Sequence, residues 1–230
     1  MGMTITALDM LSITAVALVS FRDSGIVISL IANAVAQLPP KAAGRGFLLL
    51  YAELDMIAEI NFNEGCFRTE AALAPTSFLL VPWCRLQGGF GIAYWFGASP
   101  FAGDWVFSIG GYHPAFSTPS HYPTPARVAI NCKVGNNVQI QGASYFAITP
   151  SFAMAGASFH ASLSVGPVKA YLDAGFDSLI NFHPLHYVAD MHVSVGVRYD
   201  MDVWFIHTHI ETHVGAELHI EGPEFGGKAQ

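Results

Sequence analysis

Residues 207–221 read H-T-H-I-E-T-H-V-G-A-E-L-H-I-E, and the alternation in that stretch decides the fold. His207, His209, Glu211, His213, Gly215, Glu217, His219 and Glu221 hold the odd places, while Thr208, Ile210, Thr212, Val214, Ala216, Leu218 and Ile220 hold the even ones. Alternation sustained this long is the period of a β-strand, whose successive side chains point to opposite faces. One face of this strand is crowded with imidazoles and carboxylates, and the other is apolar.

Working upstream, the same period marks strands at 127–134, 138–148, 152–165, 168–182 and 186–202, with turn chemistry at Gly135-Asn136-Asn137 and Gly166-Pro167. Connections this short make neighbours antiparallel, so a meander follows. The polar sets are Ser158, His160, Ser162 and Ser164; then Lys169, Tyr171, Asp173 and Asp177; then Asp190, His192, Ser194, Arg198 and Asp200. Slipping a strand by one residue would move every one of them to the wrong face. A two-residue turn at Gly166-Pro167 sets His160 opposite Asp173. A turn centred on Pro184-Leu185 sets Asp177 opposite His192 and Lys169 opposite Asp200. The last hairpin sets Arg198 opposite Glu211, His192 opposite Glu217 and Asp190 opposite His219. Facing opposite charges contribute roughly 0.2–1 kcal/mol and facing like charges destabilise, so charge selects this register. It yields two cross-strand rows, Asp177–His192–Glu217 and His160–Asp173–Gly196–His213.

The first half is less sharply patterned. Residues 7–20 and 25–38 are apolar on nearly both faces and rich in β-branched residues, which reads as buried strands, with a buried helix as the alternative. Between Phe47 and Phe62 the alternation returns, with Glu53, Asp55 and Glu59 on one face, and Arg68 and Glu70 are in phase on the next strand. Residues 78–116 are rich in aromatics and carry the pairs Gly88-Gly89 and Gly110-Gly111, which mark bulges or close backbone approach. The proline-rich run 117–125 cannot pair in a sheet and is the one candidate sub-boundary in an otherwise single β domain, 1–230.

Composition bounds the partners. Only 12% of the 230 residues are charged, against about 25% in ordinary soluble domains, and mean hydropathy is +0.41. Such a chain hides apolar surface against a ligand, a membrane, a homo-oligomeric partner or the rest of a larger parent protein. The net charge of -7 and the lack of a Lys/Arg cluster exclude a nucleic-acid backbone. Cys66, Cys84 and Cys132 are odd in number with no CxxC pair, indicating neither a disulfide framework nor a zinc knuckle and fitting a reducing, cytoplasmic setting. The N-terminal stretch lacks the basic region of a signal peptide. No run reaches the ~18 apolar residues of a transmembrane helix.

The runs G-G-Y-H-P-A-F (110–116), H-Y-P-T-P-A-R (121–127), S-Y-F-A-I-T-P-S-F-A-M-A-G (144–156), A-Y-L-D-A-G-F-D (170–177) and L-H-I-E-G-P-E-F-G-G-K-A (218–229) together resemble an uncharacterised domain-of-unknown-function family, found as a β-rich segment of very large bacterial and fungal proteins. The resemblance spans roughly 66–229 and implies a β fold and descent from a longer chain, with no activity attached. The sequence departs from the family pattern at His207, His209 and Glu211.

For chemistry, the polar face is built from His, Asp, Gly and Ser rather than the Lys, Glu and Thr of a solvated sheet. Glycines at 175, 196 and 215 would leave a trough between its rows. Asp173, Asp177, His192, His160, His213 and Glu217 are the candidate acid-base residues, should burial bring them toward neutrality. A plain solvated face is the competing reading. His207, His209 and Glu211 have the ligand types for a metal but match no metal motif, so no metal or cofactor is expected. No G-x-S-x-G nucleophile occurs. Trp95, Trp105, Tyr112 and His113 are the candidate wall of a pocket for a hydrophobic molecule of lipid, terpenoid or polyketide type, against the plainer reading that they are core. An outer-membrane barrel also suits long alternating strands.

The fold expected is all-β, an antiparallel meander forming a strongly curved sheet or barrel. Two functions follow: a β-sheet cavity enclosing a hydrophobic small molecule, with metal-free acid-base cyclisation or isomerisation at its strongest, or a non-catalytic structural or interaction module of a larger assembly. Enclosure of the polar face separates them.

Overall fold

A computed structural model describes residues 2–7, 10–22, 25–40, 48–203, 206–223 and 226–229, without the side chains of Thr6, Arg22, 201–207 and 226–229. The described residues form sixteen strands in one antiparallel sheet and no helix. The first five are β1 (Gly2–Ala7), β2 (Leu11–Arg22), β3 (Gly25–Leu38), β4 (Leu50–Asn61) and β5 (Cys66–Leu73). The middle is finely divided into β6 (Phe78–Leu79), β7 (Cys84–Gln87), β8 (Gly89–Trp95) and β9 (Trp105–Ile109). Then come β10 (Val128–Val134), β11 (Val138–Ile148), β12 (Phe152–Val165), β13 (Val168–Phe182), β14 (Leu185–Val203), β15 (Ile206–Gly222) and β16 (Gly226–Ala229). The meander expected from 127 onward is therefore present. The stretch 7–20 divides differently, Ala7 closing β1 and Leu11 opening β2.

The short middle strands form a ring of pairings, β4–β5–β8–β9–β11–β10–β7–β6 and back to β4. Register shows that the ring consists of three interrupted lanes. Only Gly88, with a φ of 142°, separates β7 from β8. Ile109 faces Phe146, and two places further along β11, Val128 faces Ser144. One lane position thus lies between Ile109 and Val128, although eighteen residues, 110–127, connect them. The proline-rich run is the heart of an excursion thrown out of a strand lane. Strands on both sides of it still pair, β9 with β11 and β7 with β10.

Following the register across the sheet assigns the described strand side chains to one of two faces. The polar face carries Asn33, Asp55, Glu59, Arg68 and Glu70 in the first half, and His160, Asp173, Asp177, His192 and Glu217 in the second. The apolar face carries Ile5, Val19, Leu30, Phe107, Phe146, Phe176, Val195 and Val214. The buried core nevertheless lies on the polar face. There the excursion folds back, and its Tyr112 and Tyr122 pack over Ala93, Trp95, Val106, Tyr145, Ala147 and Met154. The apolar face has no such cover among the described residues, and many of its large side chains are exposed, 75% at Val214 and 79% at Phe21.

Two of the three expected registers hold: His160 faces Asp173, and Asp190, His192 and Arg198 face His219, Glu217 and Glu211. The β13–β14 pairing is displaced by two residues. Phe182 faces Leu185 across a His183-Pro184 turn, so Asp177 faces Asp190, Gly175 faces His192, and Lys169 faces Arg198. The expected rows are broken accordingly. Shape outweighs charge at this hairpin. A Cβ on Gly196 would sit 2.2 Å from the Tyr171 ring, and one on Gly175 would sit 2.5 Å from the His192 ring, so each ring lies against a bare backbone facing it. The like charges find partners elsewhere: Lys169 bonds Asp200 at 2.8 Å, Asp190 bonds His219 at 2.5 Å, and Asp177 accepts from Tyr145 at 2.6 Å.

The cysteines also differ from expectation. Cys84 and Cys132 face each other on β7 and β10 and form a disulfide, leaving Cys66 free. The pair lies 48 positions apart in sequence, and the lane structure brings them together.

Candidate functional site

The polar face holds three arrangements, one on each side of the excursion and one beneath it. On the β11–β14 side, His160 Nδ1 lies 2.5 Å from Asp173 Oδ1. This follows from their direct pairing across β12 and β13. His192 joins them because Gly175 leaves room for its ring. The three share a cleft of about 330 Å³ with the amides Gln87, Asn131 and Gln141. Three of the six candidate acid-base residues therefore meet. Asp177 is drawn away to the Tyr145 hydroxyl, while His213 and Glu217 lie further out on β15, exposed, as is His192.

Beneath the excursion the polar groups are knitted together. The Tyr112 hydroxyl donates to the Pro123 carbonyl at 2.6 Å, and Arg127 donates to the Tyr112 carbonyl while its guanidinium covers the Tyr145 ring at 4.1 Å. Asp104 accepts from Tyr122 at 2.8 Å and bonds His121 at 2.9 Å, and Arg68 donates to the His121 carbonyl. His121 thus pins the loop to the sheet. Burial pushes the Tyr112 phenol up to about 12. Burial, followed by the hydrogen bond to Asp177, raises Tyr145 further, and burial with Asp104 does the same for Tyr122. These phenols stay protonated donors. Two buried nitrogens, His113 Nε2 and Arg127 Nη1, have no hydrogen-bond partner.

The four candidate pocket residues do not line one cavity. Trp95 and Tyr112 are core, 4% and 8% exposed. His113 packs edge-on against Tyr145 and accepts from the Ala115 N–H. Trp105, opposite Tyr94 on the apolar face, is 36% exposed. The larger cavity, about 680 Å³, lies on the other side of the excursion between its 124–126 segment and the polar face of β2–β5. Val16, Ile31, Ile57 and Pro125 supply apolar walls, and Asp55 and Glu70 supply carboxylates. Sequence reasoning missed this site because only the fold-back of residues 124–126 makes it concave. The in-phase acidic residues of 53–59 and 70 were its visible trace.

For the metal alternative, the His207 side chain lies outside the described residues, and His209 and Glu211 are exposed. Among the described residues no group of three or more His, Cys, Asp or Glu is placed to hold a metal ion. No helix of the described residues is long and apolar enough to cross a membrane.

An antiparallel sheet with one charged and one bare apolar face, crossed by a folded-back loop, defines a class of amphipathic β-sheet domain. A protein-family model spans residues 1–230, and the chain belongs to that family, a family of unknown function designated DUF6603. Neither a search of curated proteins nor one of solved structures returns a match.

Proposed function

We propose that this chain is a non-catalytic β-sheet module whose apolar face is covered by a second protein surface, either another copy or the rest of a larger parent protein. The observation that carries the reading is area. The chain exposes 14312 Å², whereas a compact monomer of 24.7 kDa would expose about 10,000 Å². The excess belongs to an open sheet, and the bare face is where large aliphatic side chains stand in water. A protein partner suits it better than lipid, because β1 and β16 each have one unpaired edge among the described residues. Another sheet can satisfy those backbone groups, whereas hydrocarbon cannot bond them. The Cys84–Cys132 bond favours an oxidising compartment over the cytoplasmic setting that the cysteine count suggested.

Light scattering on the purified chain tests the module. Self-association in plain buffer is expected. Lysine at both Val195 and Val214, which face each other on the bare surface, should abolish it without unfolding the monomer. A monomer that stays monodisperse at high concentration and binds no anilinonaphthalene sulfonate would overturn the proposal. A monomer that takes up a detergent micelle would assign the face to lipid.

A second reading has its own support: the 680 Å³ cavity is within the size range of small-molecule sites. It favours a bound hydrophobic small molecule, independent of what covers the opposite face. Acid-base cyclisation or isomerisation is the narrower version of that reading. Its support is the His160–Asp173 pair beside His192. Against it, His192, His213 and Glu217 are open to water, which screens their charges.

A further inference from the structure

We infer that the cavity beside residues 124–126 takes a hydrophobic molecule bearing one ammonium group; this rests on the small-molecule reading above and names its ligand class. The walls set the hydrophobic part. Val16, Ile31 and Ile57 face one another on the same side of β2, β3 and β4, and Pro125 of the excursion flanks them, so an apolar body rests on the sheet against the excursion. The charges set the rest. Ile57 faces Glu70 and Asp55 faces Ala72, so the two carboxylates lie diagonally across β4 and β5 on the same face, about 7–8 Å apart at their backbones. An ammonium between them reaches both.

No lysine, arginine or histidine lines the cavity. Arg68, the nearest described cation on β5, holds Glu70 at 3.6 Å from outside the lining. One oxygen of Asp55 accepts from Asn33 Nδ2 at 2.8 Å. Its second oxygen has no hydrogen bond to a described residue and remains for a ligand donor. Arg68 compensates Glu70 in part and Asn33 bonds one Asp55 oxygen, so a neutral guest would leave the second Asp55 oxygen against an apolar body without a donor, and a cation supplies one. The cleft on the opposite side of the excursion is smaller and contains imidazoles and amides.

Fluorescence titration of the full chain with dansylcadaverine, a hydrophobic primary ammonium, and with its neutral N-acetyl derivative tests the inference. Two half-exposed ion pairs should give the charged probe a roughly tenfold preference. Asp55→Asn combined with Glu70→Gln should bring the two affinities together, Glu217→Gln on the distant strand should leave the preference intact, and Ile57→Ser should weaken both probes. If the double variant fails to fold, Glu70→Gln alone must narrow the preference. Equal binding of the two probes by the native chain, both weakened by Ile57→Ser, overturns the ammonium and leaves the cavity reading standing. Binding of both probes that ignores Ile57→Ser overturns the cavity reading itself. A preference that survives the double variant belongs to the overall charge of -7 and also overturns the inference.

Discussion

Replacing Gly156 with alanine puts the fit between glycine and aromatic ring to a quantitative test. A Cβ at this position would lie 2.3 Å from Tyr145 Cε1 and 2.5 Å from Asp177 Oδ1. Tyr145 cannot swing away freely, since it is buried, covered by Arg127 and bonded to Asp177 at 2.6 Å. Overpacking costs about 1–3 kcal/mol, and losing a hydrogen bond to a charged group costs about 1.5–3 kcal/mol. Reduced freedom of the unfolded chain returns about 0.4–1 kcal/mol. The net expectation is a destabilisation of about 3 kcal/mol. Urea unfolding followed by tryptophan fluorescence reads it, because Trp95 belongs to the same core. With Tyr145→Ala in the background, the same glycine substitution should become neutral or slightly stabilising. A cost below about 0.5 kcal/mol in the native chain, or an equal cost in both backgrounds, would refute the reasoning.

Two further outcomes are expected. Cys84→Ser or Cys132→Ser should lower unfolding free energy by up to about 4 kcal/mol, the chain-entropy value for a loop of this length, and the same loss should follow reduction of the native protein by dithiothreitol; equal urea midpoints with and without reductant would contradict this. The Asp190 hydrogen bond raises the His219 pKa above its usual 6.5, so the pair's contribution is full below about pH 6.5, down to the carboxylate range, and disappears as pH rises through the raised value. An NMR titration should show the His219 pKa falling in Asp190→Asn, and the stability gap between variant and native chain should close on the alkaline side.

Much of the architecture was legible because alternation is a local property. The run 207–221 alone gives strand, faces and polarity, and the β12–β13 and β14–β15 registers follow from turn length and charge. The β13–β14 hairpin was misread because charge pairing was weighed without shape. Tyr171 over Gly196 and His192 over Gly175 are visible in the sequence only to a reader who pairs bulky rings with glycines. The disulfide was hidden because β7 and β10 become neighbours through interrupted lanes. The site was legible in part: His160 and Asp173 meet as their register requires, but the cavity walled by Val16, Ile57 and Pro125 depends on a chain reversal that no periodicity encodes.

The excursion at 110–127 has a consequence for how such a protein can be altered. Val128 occupies the place that residue 111 would hold against both β11 and β7. Excising 111–127 would therefore splice the strand without shifting its alignment on either side. The strand frame is continuous in register without the segment, although the core that Tyr112 and Tyr122 close over Trp95, Val106 and Met154 is not. Tyr112, Tyr122 and Arg127 are held by their contacts with the sheet, and variation elsewhere in the segment would reshape the recesses on one side while leaving the bare reverse side unchanged.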